Sequence, residues 1–128
     1  MKLLLDTCAF LWIIQDSPRL SKKARDLFLD KRSEARLSVV SVWEMVLKYQ
    51  LKRLPLPEPP DTFIPKQCYL HDIGMMPLED RAIYELLKIQ PLHNDPFDRM
   101  LVCQARAHDL VILTPDKLVT DYPVQSMW

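Results

Sequence analysis

The strongest constraint on this chain is the alternation of very short apolar runs with longer amphipathic ones. Lys2–Leu5, Leu37–Val40 and Val111–Leu113 are three or four residues long and built mainly of Leu, Val and Ile. Runs this short and this apolar suit strands buried on both faces, as in a parallel sheet covered by helices. Between them the apolar residues recur at helical spacing. Thr7–Gln15 is apolar and stops at Asp16-Ser17-Pro18. Ser21 caps a helix to about Leu29, with Ala24, Leu27 and Phe28 on one face and Lys22, Lys23 and Arg25 in solvent. Ser41-Val42-Trp43-Glu44 has capping-box spacing and predicts a helix from there to about Tyr49.

The second half reads the same way. Pro55, Pro57, Pro59 and Pro60 exclude helix over 54–60 and predict an extended connector. Asp61 or Thr62 starts a helix toward Tyr69, and Asp72–Met75 is a third strand. Glu79–Ile89 forms an amphipathic helix with Ala82, Leu86 and Ile89 on one side. A loop at 91–94 leads to Asp95-Pro96, which starts a helix to about His108. Pro115-Asp116 is a turn, and a short last strand includes Val124. Strands alternating with helices predict an α/β fold around a parallel sheet, in one domain over residues 1–128.

Composition narrows the function. The formal net charge is +0, so any attraction to nucleic acid must come from a local basic surface. The single glycine, Gly74, excludes P-loop and dinucleotide fingerprints, which need several glycines for backbone to approach phosphate. Phosphate handling is left to side chains or metal. Cys8, Cys68 and Cys103 form no C-x-x-C pair, which argues against a disulfide framework or zinc site and fits a reducing, cytoplasmic setting. The apolar N-terminus is interrupted by Asp6, lacks a small-residue cleavage site and is too short to span a bilayer.

Four carboxylates fall where this architecture would gather them. Asp6 follows strand one, Glu44 lies in the helix after strand two, Asp98 opens the helix entering strand four, and Asp116 follows strand four. In an open parallel sheet, ligands bind in the crevice beyond the carboxyl ends of the strands. Carboxylates sharing a pocket repel one another, and a divalent cation removes the conflict. All-oxygen ligands suit Mg²⁺ or Mn²⁺, and the chemistry such an ion serves is phosphodiester hydrolysis. Each acid also has a local reading. Asp6 can close an Asx turn, Glu44 can complete a capping box with Ser41, Asp95 and Asp98 suit a helix start, and Asp116 sits in a turn. Four unrelated caps, however, need not converge.

Leu4-Leu5-Asp6-Thr7, Ser41-Val42-Trp43-Glu44, His93-Asn94-Asp95-Pro96-Phe97-Asp98-Arg99 and Leu113-Thr114-Pro115-Asp116 resemble the successive motifs of PIN-domain proteins, in order. The Asp-Pro-Phe-Asp-Arg stretch is the most specific and resembles that of VapC-type toxins. The resemblance implies a three-layer α/β/α fold with a central sheet of four to five strands. It implies a Mg²⁺- or Mn²⁺-dependent endoribonuclease acting on tRNA or ribosomal RNA, a cognate antitoxin and a homodimer. Asp6, Glu44, Asp98 and Asp116 would be the catalytic, metal-binding acids, with Asp95, Thr7 and Thr114 in support. Cys8 stands where many relatives carry His, and Leu51-Lys52-Arg53-Leu54 where they continue Gly-Lys-Leu.

Other residues have plainer readings. Cys8 lacks an adjacent His and reads as a small hydrophobe; His93 reads as a loop histidine with a structural hydrogen bond. Arg99 can bind phosphate or pair with an acid. Lys48, Lys52 and Arg53 form a basic patch that suits an RNA backbone or simply a solvated helix end. Trp12 and Trp43 read as core or interface, and Leu11, Trp12 and Ile14 as spare apolar surface for a dimer. A PIN-type RNA-processing nuclease without antitoxin, and a non-catalytic α/β module whose acids are only caps, remain as alternative readings.

Overall fold

The apolar runs pair side by side into a five-stranded parallel sheet. The computed structural model describes Met1–Trp128 throughout. The strands are β1 (Lys2–Leu5), β2 (Glu34–Ser38), β3 (Gly74–Met76), β4 (Val111–Leu113) and β5 (Ser126–Met127), in the spatial order β3-β2-β1-β4-β5. β1 is central: Leu3 sits opposite Ala35 of β2 and Val111 of β4, and Leu3, Leu4 and Leu5 are fully buried. Chain progression reverses direction between β1 and β4, which opens a crevice beyond their carboxyl ends.

Alternation along the strands feeds two cores. Leu4 and Ile112 join one, with Leu101, Val102 and Ala105 of α6 (Pro96–His108) and Val119 of α7 (Lys117–Thr120). Leu5, Leu37 and Leu113 join the other. Its helices are α1 (Thr7–Ile14), α2 (Lys22–Leu29), α3 (Val39–Gln50) and α4 (Pro60–Leu70). The result is the α/β/α arrangement of three layers. No helix is long and apolar enough to cross a membrane.

Side-chain caps set most helix starts. Asp6, Ser21, Ser38, Asp95 and Asp116 cap α1, α2, α3, α6 and α7. With one glycine available, four helices are left through non-glycine residues at positive φ: Asp16, Lys52, Asp72 and Asp109. Three of the four are Asp, whose short polar side chain tolerates the left-handed region better than most.

Several expected boundaries shift. Strand two ends at Ser38, not Val40, and α3 begins at Val39 rather than at a Ser41 capping box. The Ser38 hydroxyl accepts from the Val40 N–H, while Ser41 is buried with no partner for its Oγ. The helix expected over 79–89 splits into α5 (Asp80–Tyr84) and a 3-10 turn over Glu85–Lys88. The third strand lies at Gly74–Met76 rather than Asp72–Met75. The last strand excludes Val124, whose N–H turns back to the Tyr122 carbonyl. The Pro115-Asp116 turn continues into α7.

Candidate metal centre

The crevice at the carboxyl ends of β1 and β4 collects acids from three elements. Asp6 comes directly from the end of β1, Asp116 from the turn after β4, and Asp98 from the first turn of α6, which starts at this edge. Ligand oxygens of Asp6, Asp98 and Asp116 all lie within 4.8 Å of one another. Asp6 and Asp98 are buried, and Asp116 is half-buried.

The three carboxylates are not equally supported. Asp6 accepts from the Thr7 N–H at 2.7 Å and from the Thr114 hydroxyl at 2.6 Å. Burial pushes its carboxyl above the usual range, against the pull of these bonds. Thr114 Oγ1 also accepts from the Asp116 N–H at 3.0 Å, so one hydroxyl orders two site segments. Asp116 Oδ1 accepts from the Leu118 N–H. Asp98 has no such help. Burial first, then the charges of Asp6, Asp95, Glu44 and Asp116, push its carboxyl up to about 8. A cluster of hard oxygen donors in which two members, Asp98 above all, resist ionisation fits a bound divalent cation, because the cation favours the ionised form.

The remaining expected residues line the same cleft of about 310 Å³ without joining the triad. Asp95 accepts from the Phe97 and Asp98 N–H groups at 2.9 and 3.2 Å as the cap of α6. Glu44 sits in the second turn of α3, not the first, because α3 begins earlier than expected. Its carboxylate accepts from the Thr7 hydroxyl at 2.7 Å and from Lys48 Nζ at 2.6 Å. Lys48 and Arg53 give the cleft a basic rim, and Leu11 and Leu54 an apolar one. The Glu44–Lys48 pair escaped the reading of the sequence, although the i, i+4 spacing on α3 was its signal.

The other singled-out residues fall outside the chemistry. Burial and the neighbouring Asp6 carboxylate push the Cys8 thiol far up, which keeps it unreactive. His93 Nε2 donates to the Leu118 carbonyl, and Nδ1 accepts from the Asp95 N–H, so the ring pins the 91–94 loop. Arg99 forms no ion pair, and its buried Nε has no partner. Trp43 is not core: it is 60% exposed and meets Phe97 edge-on. Leu11, Trp12 and Ile14 are half-buried against the second core, and Trp12 packs on Trp128, so each keeps part of its apolar surface exposed.

A parallel α/β/α sheet with acids converging at its topological switch point places the chain in a well-defined class. The sequence profile of the PIN domain matches residues 3–123, and the chain belongs to the PIN domain family. Its fold is that of solved toxin–antitoxin proteins. VapBC2 from Rickettsia felis, bound to a DNA fragment from its promoter, superposes with a TM-score of 0.71 at 15% identity, over 99% of this chain and 98% of that one. DNA-bound VapBC from Salmonella typhimurium gives 0.67 at 18% identity, over 99% and 97%. VapBC-1 from nontypeable Haemophilus influenzae gives 0.66 at 16% identity, over 99% and 97%. No curated protein sequence matches the chain significantly.

Proposed function

We propose that this PIN protein is a Mg²⁺- or Mn²⁺-dependent endoribonuclease, the toxin of a type II toxin–antitoxin pair. The observation that carries the reading is the convergence of Asp6, Asp98 and Asp116, with Asp98 held against its own ionisation. The two halves of the proposal have different support. The acids support the nuclease, and the likeness to VapBC proteins supports the toxin.

A bound Mg²⁺ or Mn²⁺ supplies Lewis-acid activation of water and of phosphate oxygens at neutral pH. The chain supplies the rest. Asp6, Asp98 and Asp116 hold the cation; Thr114 and the Thr7 N–H fix the orientation of Asp6. Asp95 fixes the first turn of α6 and with it the position of Asp98. Thr7 Oγ1 holds Glu44 at the wall of the cleft. Lys48 and Arg53 draw in the phosphate backbone of a tRNA or ribosomal RNA, which a neutral chain could not attract globally.

In this reading residues 1–128 act as one cytoplasmic unit that a cognate antitoxin inhibits. A homodimer is part of it, and Val39, Trp43 and Leu47 along the outer side of α3 are exposed apolar residues available for contact. The test is direct. Purified protein is incubated with total tRNA and ribosomal RNA, with Mn²⁺ or with a chelator, and expressed alone in a bacterial host. Metal-dependent cleavage and growth arrest, relieved by the neighbouring gene, are expected. Cleavage without growth arrest would leave the nuclease and remove the toxin. No cleavage of any RNA would remove both. Light scattering at high concentration tests the dimer, and a monomer would refute it.

A further inference from the structure

Thr114 ties two members of the triad into one frame: its hydroxyl donates to Asp6 at 2.6 Å and accepts from the Asp116 N–H at 3.0 Å. Asp98 is left out of that frame. It stands on a separate element, α6, and its carboxylate accepts no hydrogen bond, so the backbone of that first turn sets its place. The oxygens of Asp6, Asp98 and Asp116 crowd within 4.8 Å, and without a cation their like charges drive them apart. A contact that holds the start of α6 to α7 therefore bears directly on the triad.

His93 makes that contact. It precedes the cap of α6 by two residues. Its Nδ1 accepts from the Asp95 N–H at 3.2 Å, and its Nε2 donates to the Leu118 carbonyl of α7 at 3.0 Å. A backbone N–H can only donate and a carbonyl only accept, so the ring is neutral with its proton on Nε2. Each contact leads on to an acid. Asp95 Oδ1 accepts from the Asp98 N–H at 3.2 Å, and the Leu118 N–H donates to Asp116 Oδ1 at 2.9 Å. A continuous path runs from Asp98 through Asp95, His93 and Leu118 to Asp116. The His93–Leu118 bond is the only hydrogen bond between residues 91–99 and α7. The half-buried ring has little freedom, since it meets Tyr122 edge-on with centroids 5.3 Å apart. The hydroxyl of the same buried tyrosine accepts from the Leu92 and His93 N–H groups at 3.1 and 3.4 Å.

We propose that His93 is a positioning residue of the cation site: by bridging the cap of α6 to α7, it sets the separation at which Asp98 and Asp116 reach the same cation. This rests on the reading of the triad as a cation site and adds to it a residue that touches neither the ion nor RNA. Groups that orient the ligands of a metal in this way change its affinity about 10–100-fold when they are lost.

Mn²⁺ titration of the full chain by calorimetry, together with melting temperatures of the metal-free protein, tests the bridge. His93→Ala removes both contacts. His93→Asn keeps the nearer one, because a side-chain oxygen there still accepts from the N–H two residues on, but it is too short to reach Leu118. Both variants are expected to bind Mn²⁺ about 10–100-fold more weakly than wild type. Their metal-free melting temperatures should stay within about 5 °C of wild type, because breaking the bridge also lets repelling carboxylates part. His93→Gln, longer by a methylene, can donate to the Leu118 carbonyl and should recover most of the affinity. A His93→Asn variant that binds Mn²⁺ like wild type would show that the ring only pins its loop, and would overturn this inference alone. Affinity lost only in step with a much lower melting temperature would make His93 a residue of the fold and overturn it as well. Wild type that takes up no Mn²⁺ at millimolar concentration would overturn the cation reading and this inference with it.

Discussion

Helix α6 carries two buried polar side chains with opposite fates. Gln104 is fully buried, yet each end of its amide is matched: Oε1 accepts from the Ser38 hydroxyl, and Nε2 donates to the Pro77 carbonyl at 3.2 Å. Ser38 Oγ in turn accepts from the Val40 N–H, so the group closes on itself without net charge. Asp98 is almost as buried, but its carboxylate faces other carboxylates and accepts no hydrogen bond. Burial of a polar group therefore says little by itself. What separates structure from function is whether donors, acceptors and charge balance within the chain.

The largest effect that can test this contrast is on cleavage. Asp98→Asn keeps size and hydrogen-bonding ability but removes one charge from the cation site. That should cost several kcal/mol of transition-state stabilisation, a loss of about 10²–10³-fold in single-turnover cleavage of total tRNA. The metal-free variant should also melt higher than metal-free wild type, because folding no longer has to protonate a carboxylate against its acidic neighbours. A variant that cuts like wild type would return Asp98 to a helix-start role, and one that melts lower would deny the repulsion.

Gln104→Leu probes the balanced group. It leaves the Ser38 hydroxyl and the Pro77 carbonyl without their buried partners, at a cost of about 1–3 kcal/mol by urea denaturation. Cleavage per folded molecule should be unchanged. A large loss of cleavage with normal stability would mean that the two groups on α6 are coupled after all.

Thr114→Val is milder. It removes the hydroxyl that orients Asp6 and accepts from the Asp116 N–H, while preserving volume. One lost charge-assisted bond corresponds to about tenfold in cleavage rate, with little change in melting temperature. An unchanged rate would show that the triad is held by the backbone alone.

A further expected effect is on pH. Asp98 titrates near 3.8 when unfolded and at about 8 in the fold, so over that interval the folded chain binds more protons than the unfolded one. Its contribution therefore makes metal-free stability fall as pH rises from 3.8 toward about 8. Saturating Mn²⁺ should flatten the slope by holding the carboxylates ionised. Melting curves across that interval check it, and a metal-free stability that rises through the whole window would contradict the raised Asp98 carboxyl.

The parts legible in the sequence were those decided within a few residues. β4 was read to the residue, and the start of α6 followed from Asp-Pro at its cap. The β2–α3 boundary was not, because Ser38 and Ser41 are both eligible caps locally. Ser38 takes the role while hydrogen-bonded to Gln104, 66 residues away in sequence. The break in the 79–89 helix likewise involves a distant partner, since Glu85 is held by Arg106 of α6 as well as by Lys88. At the candidate centre the acids could be named from their motifs. Which carboxylates would be spent on neighbours could not, and Glu44 is the case where that matters most.

Asp6, Asp95 and Asp116 each cap a helix in addition to lining the crevice. A descendant of this chain that lost the chemistry would still be under pressure to keep those three aspartates, because its helices need them. Their survival in a relative would therefore not distinguish a working copy from a retired one. Asp98 has no capping duty and weakens the fold that carries it, so drift would erase it first. A survey of relatives for intact activity should begin at that position.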